Sequence, residues 1–163
     1  MAITVEELTE TATAFLRENY GMELGIPIVR NNRLRTVMGR FISAYRGGAT
    51  SIEIAGFVFE HGEREVIIDT LYHECVHYAI FERGEPYKDG HPHFEAELKR
   101  LGVGATGTNI VGKYVIYACQ NCGKEAQARG KQLLRDYRER MTICCSAEIR
   151  IVGERIYNGT EAV

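Results

Sequence analysis

Between His61-Gly62 and Gly84-Glu85-Pro86 the chain carries a stretch whose apolar residues Val66, Ile67, Leu71, Val76, Ala79 and Ile80 recur at helical spacing. That periodicity predicts a mostly buried helix from about Glu63 to Glu82, around which the remaining elements must pack. In its middle stand His73-Glu74-Cys75-Val76-His77. Histidines at i and i+4 lie on one helical face, so both imidazoles can reach a single metal ion. Glu74, directly after the first, sits where a general base can take a proton from metal-bound water. The plainer alternative makes His73 and His77 surface histidines and Glu74 a local ion-pair partner. The apolar framework and two further histidines nearby speak against it. Cys75 faces away from the 73/77 stripe and reads as a small buried hydrophobe.

Catalytic zinc usually takes three protein ligands and leaves its fourth position to water, so a third donor is required. His91 and His93, 14 and 16 residues after His77, are the first candidates, because a chain leaving the helix can turn back there past the metal. Asp89, Glu95 and Glu97 are further ones.

With 163 residues, 45% hydrophobic and 26% charged, the chain can bury one cored domain and a small appendage, but not two full domains. Its N-terminal Met-Ala-Ile-Thr-Val-Glu-Glu-Leu carries no basic leader, and no stretch has the apolar length to span a bilayer. A cytoplasmic protein with no membrane partner is expected. Residues 1–112 hold 11 Lys/Arg against 16 Asp/Glu, and residues 113–163 hold 9 against 6, giving −5 and then +3. So small a basic excess describes an ordinary solvated surface and does not establish a nucleic-acid partner. Five cysteines, at 75, 119, 122, 144 and 145, form an odd set with a C-x-x-C and favour metal binding over disulfides. Asn158-Gly159-Thr160 fits a glycosylation sequon only formally and reads as a turn.

Thr4-Val5-Glu6-Glu7 has the form of a capping box, and Val5, Leu8, Ala12, Phe15 and Leu16 follow at helical spacing until Gly21. Short β-rich runs at Ile26–Val29, Thr36–Ser43 and Ser51–Ala55 predict a small antiparallel sheet. After the central helix, a second helix from Pro92 to Leu101 precedes Gly102, a C-cap, and a Gly/Thr/Asn-rich linker. Beyond it, runs at Lys113–Ala118, Tyr137–Cys144 and Ala147–Val152, with Cys119-Gln120-Asn121-Cys122-Gly123 between the first two, follow the plan of a small zinc ribbon.

The run Asp69-Thr70-Leu71-Tyr72-His73-Glu74-Cys75-Val76-His77-Tyr78, followed by Asp89-Gly90-His91-Pro92-His93-Phe94-Glu95-Ala96-Glu97-Leu98-Lys99-Arg100-Leu101-Gly102, resembles the SprT-like metallopeptidases, which include Spartan. The similarity extends over about residues 5–103 and continues less securely into the ribbon. It implies an α+β, zincin-like catalytic domain of the gluzincin or minigluzincin type over residues 1–103, a linker over 104–112, and a zinc-ribbon-like subdomain, intact or degenerate, over 113–163. It also implies a catalytic zinc on His73, His77 and His91, the last carried by Gly90-His91-Pro92. His93, at a neighbouring position, is then an alternative ligand, a substrate contact or merely exposed. Glu74 would deprotonate the zinc-activated water that attacks a peptide carbonyl and pass the proton to the leaving amine. Tyr72, Tyr78, Tyr87 and His93 are the nearby donors to the oxyanion, none singled out by the sequence.

Cys119-x-x-Cys122-Gly has the form of a zinc knuckle, but its partner is the adjacent pair Cys144-Cys145, with Ala147 three after Cys144, a departure from the usual ribbon. Neighbouring side chains of an extended strand point oppositely, so one of the pair should be the better ligand. A structural zinc on Cys119, Cys122, Cys144 and Cys145, a metal-free degenerate ribbon and a redox C-x-x-C remain open. Lys124, Arg129, Lys131, Arg135, Arg138 and Arg140 would form a nucleic-acid face or simply solvated charge. The expected protein is therefore a zinc metallopeptidase acting on protein or peptide. Spartan's likeness extends that to DNA-associated proteins, with DNA held by the C-terminal subdomain. The competing expectation is a non-catalytic zinc module that binds nucleic acid or a protein.

Overall fold

The computed structural model describes residues 3–44, 46–104, 109–129, 132–159 and 162. The capping box does what its residues predict. The Glu7 N–H donates to the Thr4 hydroxyl at 3.2 Å, and helix α1 (Val5–Tyr20) ends at Gly21 in the left-handed region, φ 64°. Its apolar stripe, Leu8, Ala12, Phe15 and Leu16, is buried, and Phe15 stacks on Tyr72 at 4.2 Å between ring centroids.

Strands β1 (Ile28–Asn31), β2 (Gly39–Ser43) and β3 (Ala49–Ala55) form one sheet in the order β1-β3-β2. β2 runs antiparallel to β3 as expected, but β1 runs parallel to it, so the sheet is mixed. Alternation along a strand marks its buried face and not its direction, and this is why the sequence left the parallel pair unseen. On β3, Ile52 and Ile54 are fully buried, while Glu53 faces the other way and accepts from Asn31 Nδ2 and Arg40 Nε.

A short helix α2 (Gly56–His61), absent from the sequence reading, leads into the central helix α3 (Arg64–Glu82). The interior of α3 is buried almost without break from Thr70 to Ile80, Tyr72 being half-exposed. Helix α4 (Pro92–Leu101) starts and stops as predicted, with Gly102 closing it at φ 67°, and it lays Phe94 and Leu98 on the core.

The C-terminal sheet is antiparallel, in the order β5-β4-β6, from β4 (Ile110–Cys119), β5 (Glu125–Arg129) and β6 (Ile149–Gly159). Ile110, Val111 and Gly112, expected in the linker, already belong to β4, and Val111 is fully buried. Residues 105–108 of that linker lie outside the described residues, as do Lys131 and Thr160. Tyr137–Cys144, read as a strand, instead holds a 3₁₀ turn over Tyr137–Glu139 and a tight turn ending at Ser146, φ 48°. Between β5 and that turn lies the helix α5 (Gln132–Asp136). The two sheets belong to neighbouring parts that touch directly. The Glu63 N–H donates to the Asn158 carbonyl at 2.9 Å, and Gly159 packs so closely that a Cβ there would meet Val66 Cγ2 at 2.6 Å.

Candidate metal centre

One helical turn of α3 aims His73 and His77 at the same spot. His73 Nδ1 lies 3.2 Å from the Gly104 carbonyl, and His77 Nδ1 contacts the Tyr87 carbonyl. A carbonyl oxygen only accepts, so each ring carries a proton on Nδ1, and its neutral form turns an Nε2 lone pair inward. Both Nε2 atoms face the same atom, Asp89 Oδ1, at 3.1 and 3.4 Å. In that neutral form three acceptors converge on one point, an arrangement that a cation would join. The spacing suits one, because donors 2.0–2.1 Å from a tetrahedral zinc stand about 3.3–3.4 Å apart. Burial holds His77 below the ordinary imidazole range, with His73 adding to the effect and the Tyr87 carbonyl and Asp89 opposing it. A neutral imidazole is the form that ligates.

Glu74 is buried beside these rings. Burial pushes its carboxyl up to about 8, with the Asp89 charge adding and the Phe41 backbone N–H acting the other way. The edge strand β2 presses on it where Gly39 leaves room, since a Cβ there would stand 2.9 Å from Glu74 Oε1 and 3.0 Å from Thr70 Cγ2.

At the third position the structure brings Asp89, and not His91, up to the two imidazoles. Among the described residues, the group within 4.8 Å of one another is His73, His77 and Asp89. His91 is exposed at the N-cap of α4, where its Nδ1 accepts the His93 N–H at 3.2 Å. Gly90, at φ 76°, turns the chain between the two residues, so Asp89 faces the imidazoles and His91 faces its own helix. His93 pairs with Glu85 at 2.6 Å on the surface, and the Glu95 carboxylate accepts the Gly90 N–H. Glu97 is bound by Arg100. Cys75 is fully buried, as read from the sequence.

In front of Glu74 opens a cavity of about 480 Å³, walled by Val37 and Met38 before β2, by Asp69, Thr70 and His73 on α3, and by Tyr114, Gln127 and Arg129 on the C-terminal sheet. Of the donors considered from sequence, Tyr72 stacks on Phe15, the Tyr78 hydroxyl accepts the Gly25 N–H, and Tyr87 packs against Phe41 and Phe81. None of the three lines the cavity; Tyr114 does, and sequence reasoning missed it. Arg129, expected on a solvated basic face, is half-buried with its guanidinium 4.1 Å from the Phe57 ring centre and 4.9 Å from that of Tyr114. Lys124, Arg135, Arg138 and Arg140 are exposed.

The second group sits at the far end of β4. The sulfurs of Cys119, Cys122, Cys144 and Cys145 all lie within 4.8 Å of one another, and Cys122 and Cys144 are 3.6 Å apart. Thiolates about 2.3 Å from a tetrahedral zinc stand about 3.8 Å apart, so the set fits such an ion. The adjacent pair contributes both its thiols because Cys144 and Cys145 lie in a turn, closed by Ser146 N–H to the Thr142 carbonyl, where neighbouring side chains need not oppose as in a strand. The Thr142 hydroxyl, 3.2 Å from Cys119 Sγ, together with the Cys122 and Asn121 backbone amides, holds that thiol down to about 6. Among the described residues, two groups of side chains could therefore hold a metal.

Residues 5–112 match the family model described as SprT-like. A protein called SprT-like from Staphylococcus carnosus is 30% identical over 130 residues, covering 75% of this chain and 79% of its own length. Similar proteins of the same name from Streptococcus thermophilus and Streptococcus agalactiae are 28% identical over 119 residues and 25% identical over 134. They cover 71% and 80% of this chain and 79% and 86% of their own. Among the described residues no helix is long and apolar enough to cross a membrane.

Proposed function

The chain belongs to the SprT-like family, and on that basis we propose a zinc-dependent metallopeptidase of zincin-like fold, with Glu74 as its general base. The observation that carries the reading is the pairing of a buried carboxylate with two imidazoles whose inward lone pairs call for a cation. A structural histidine pair has no need of a base at that position.

His73 and His77 would hold the catalytic zinc, and the third ligand would come from the turn Asp89-Gly90-His91. We keep His91, which the family resemblance implies; Asp89 is the second reading, favoured by its Oδ1 lying against both Nε2 atoms. Cys119, Cys122, Cys144 and Cys145 would hold a structural zinc that fixes the end of β4. When bound, the catalytic zinc supplies a strongly acidified water and a Lewis acid for the substrate carbonyl. Glu74 takes a proton within the cavity and returns it to the leaving nitrogen. The Gly104 and Tyr87 carbonyls hold the two rings in the ligating tautomer. The β2 edge beside Glu74 offers backbone groups along which an extended peptide can lie. We divide the chain as before, with residues 1–103 bearing the chemistry and 113–163 the ribbon; DNA-associated protein as substrate rests on Spartan's likeness alone.

The purified chain should carry two zinc ions and cleave an unfolded test protein such as casein. Chelation should stop cleavage and added zinc restore it; cleavage indifferent to chelation would overturn the reading, and zinc without cleavage would favour the non-catalytic module. Zinc affinity of His91→Ala and Asp89→Ala separates the third ligands. His91→Ala should lose at least 10–100-fold, roughly the scale known for partners outside the ligand set. A larger loss in Asp89→Ala would transfer the position to Asp89.

A further inference from the structure

Tyr114 and Arg129 are directly opposite each other on β4 and β5, and Gln127, two residues before Arg129, shares their face. All three line the cavity in front of Glu74, although they come from the C-terminal sheet. The Tyr114 hydroxyl accepts from Arg129 Nε at 3.2 Å and from Nη2 at 2.6 Å. Two incoming donors fill the acceptor positions of a phenol oxygen, so its own proton is left to give. Two charge-assisted bonds from a guanidinium also polarise that O–H, making it a stronger donor.

Arg129 itself is held in place by the Val111 carbonyl at 2.7 Å, the Arg35 carbonyl at 3.4 Å and the rings of Phe57 and Tyr114. Every one of these partners is neutral. Among the described residues no carboxylate is within ion-pair distance of it; Asp69, Glu74 and Asp89 line the same cavity from the opposite side of the site, on and after α3, and leave this wall with the positive charge. A free O–H, a neutralisable cation and the Gln127 amide on one wall together favour an anionic acceptor. A carboxylate fits that set in charge and in hydrogen-bonding sense.

We propose that this wall is a substrate pocket for an acidic side chain, Asp or Glu, near the bond to be cut. Tyr114 and Arg129 contact the carboxylate. The C-terminal sheet is thereby part of the substrate site, and not only an appendage beside it. The inference rests on the peptidase reading for the identity of its ligand as a peptide.

The test measures binding and cleavage separately, on the full zinc-loaded chain. Fluorescent peptides differing only by Glu or Gln, scanned through the positions around the central bond, are titrated onto the Glu74→Gln protein and followed by anisotropy. At one position the Glu peptide should bind about tenfold more tightly than its Gln partner. Adding Tyr114→Phe, which keeps the ring beneath the Arg129 guanidinium, should bring that ratio close to one. Gln127→Glu, at an exposed position on the same wall, should reverse it by repulsion. No preference at any position, or a preference untouched by both changes, overturns the pocket. Displacement of the acidic peptide by a short single-stranded oligonucleotide, itself sensitive to Tyr114→Phe, would assign the wall to phosphate and overturn it also. Acid-selective binding in a chain whose wild type cuts nothing would keep the pocket and sink the peptidase; cutting without selectivity would do the reverse.

Discussion

Glu74→Gln should leave both zinc ions bound while lowering peptide hydrolysis by about 10²–10⁴-fold, the range for loss of a positioned general base. Glutamine keeps the shape that fits under Gly39 but cannot take a proton. Hydrolysis at the wild-type rate with zinc retained would remove Glu74 from the mechanism. The same variant carries a pH signature in chelated protein. Burial raises this carboxyl from its ordinary 4.5 to about 8, so across that window the folded chain holds a proton that the unfolded chain releases. Folding then takes up a proton, and the stabilising contribution falls as pH rises from about 4.5 to about 8. Glutamine does not titrate. The variant should therefore gain on the wild type as pH climbs through the window and match it near pH 4; urea denaturation at several pH values reads this directly. Parallel curves for the two proteins would mean that Glu74 titrates in the folded chain as it does in the unfolded one, with no rise on burial.

Phe94→Ala should cost about 3–5 kcal/mol, the usual range for emptying a buried aromatic site. Phe94 is fully buried, its ring stacked on His77 at 4.0 Å between centroids and set edge-on to His73 at 5.3 Å. Against a domain stability of about 5–15 kcal/mol the loss is severe. Denaturant unfolding should show it in the zinc-loaded protein, and zinc affinity should weaken as well, because the ring that holds His77 in place is gone. Phe94→Leu keeps most of the volume and separates the two effects: it should recover much of the stability and less of the affinity. A loss under about 1 kcal/mol in Phe94→Ala would show that the site collapses freely and that the stack does not brace the histidines.

Local chemistry was legible in the sequence wherever neighbours in the chain are neighbours in space. The Thr4 cap, the left-handed Gly21 and Gly102 and the limits of α3 and α4 follow from spacing along one helix. So does the shared face of His73 and His77, with Glu74 beside them. How the adjacent Cys144-Cys145 pair sits was less legible, because extended backbone would part the two side chains, whereas a turn brings both thiols to the group.

What depends on how separate elements meet was not legible. Whether β1 runs with or against β3, which atom faces the two imidazoles, and which residues wall the cavity are set by packing between parts far apart in the chain. Tyr114 has nothing in its local pattern to distinguish it from Tyr117 on the same strand. Only the pairing of β4 with β5, and the docking of that sheet on α2 and α3, puts its hydroxyl under Arg129 and its side chain in the wall before Glu74. By itself the sequence determined the helix that carries His73, Glu74 and His77, because a period of 3.6 residues encodes its own face. The tertiary structure decided what that face looks out on, because side chains from distant segments converge only when their elements pack.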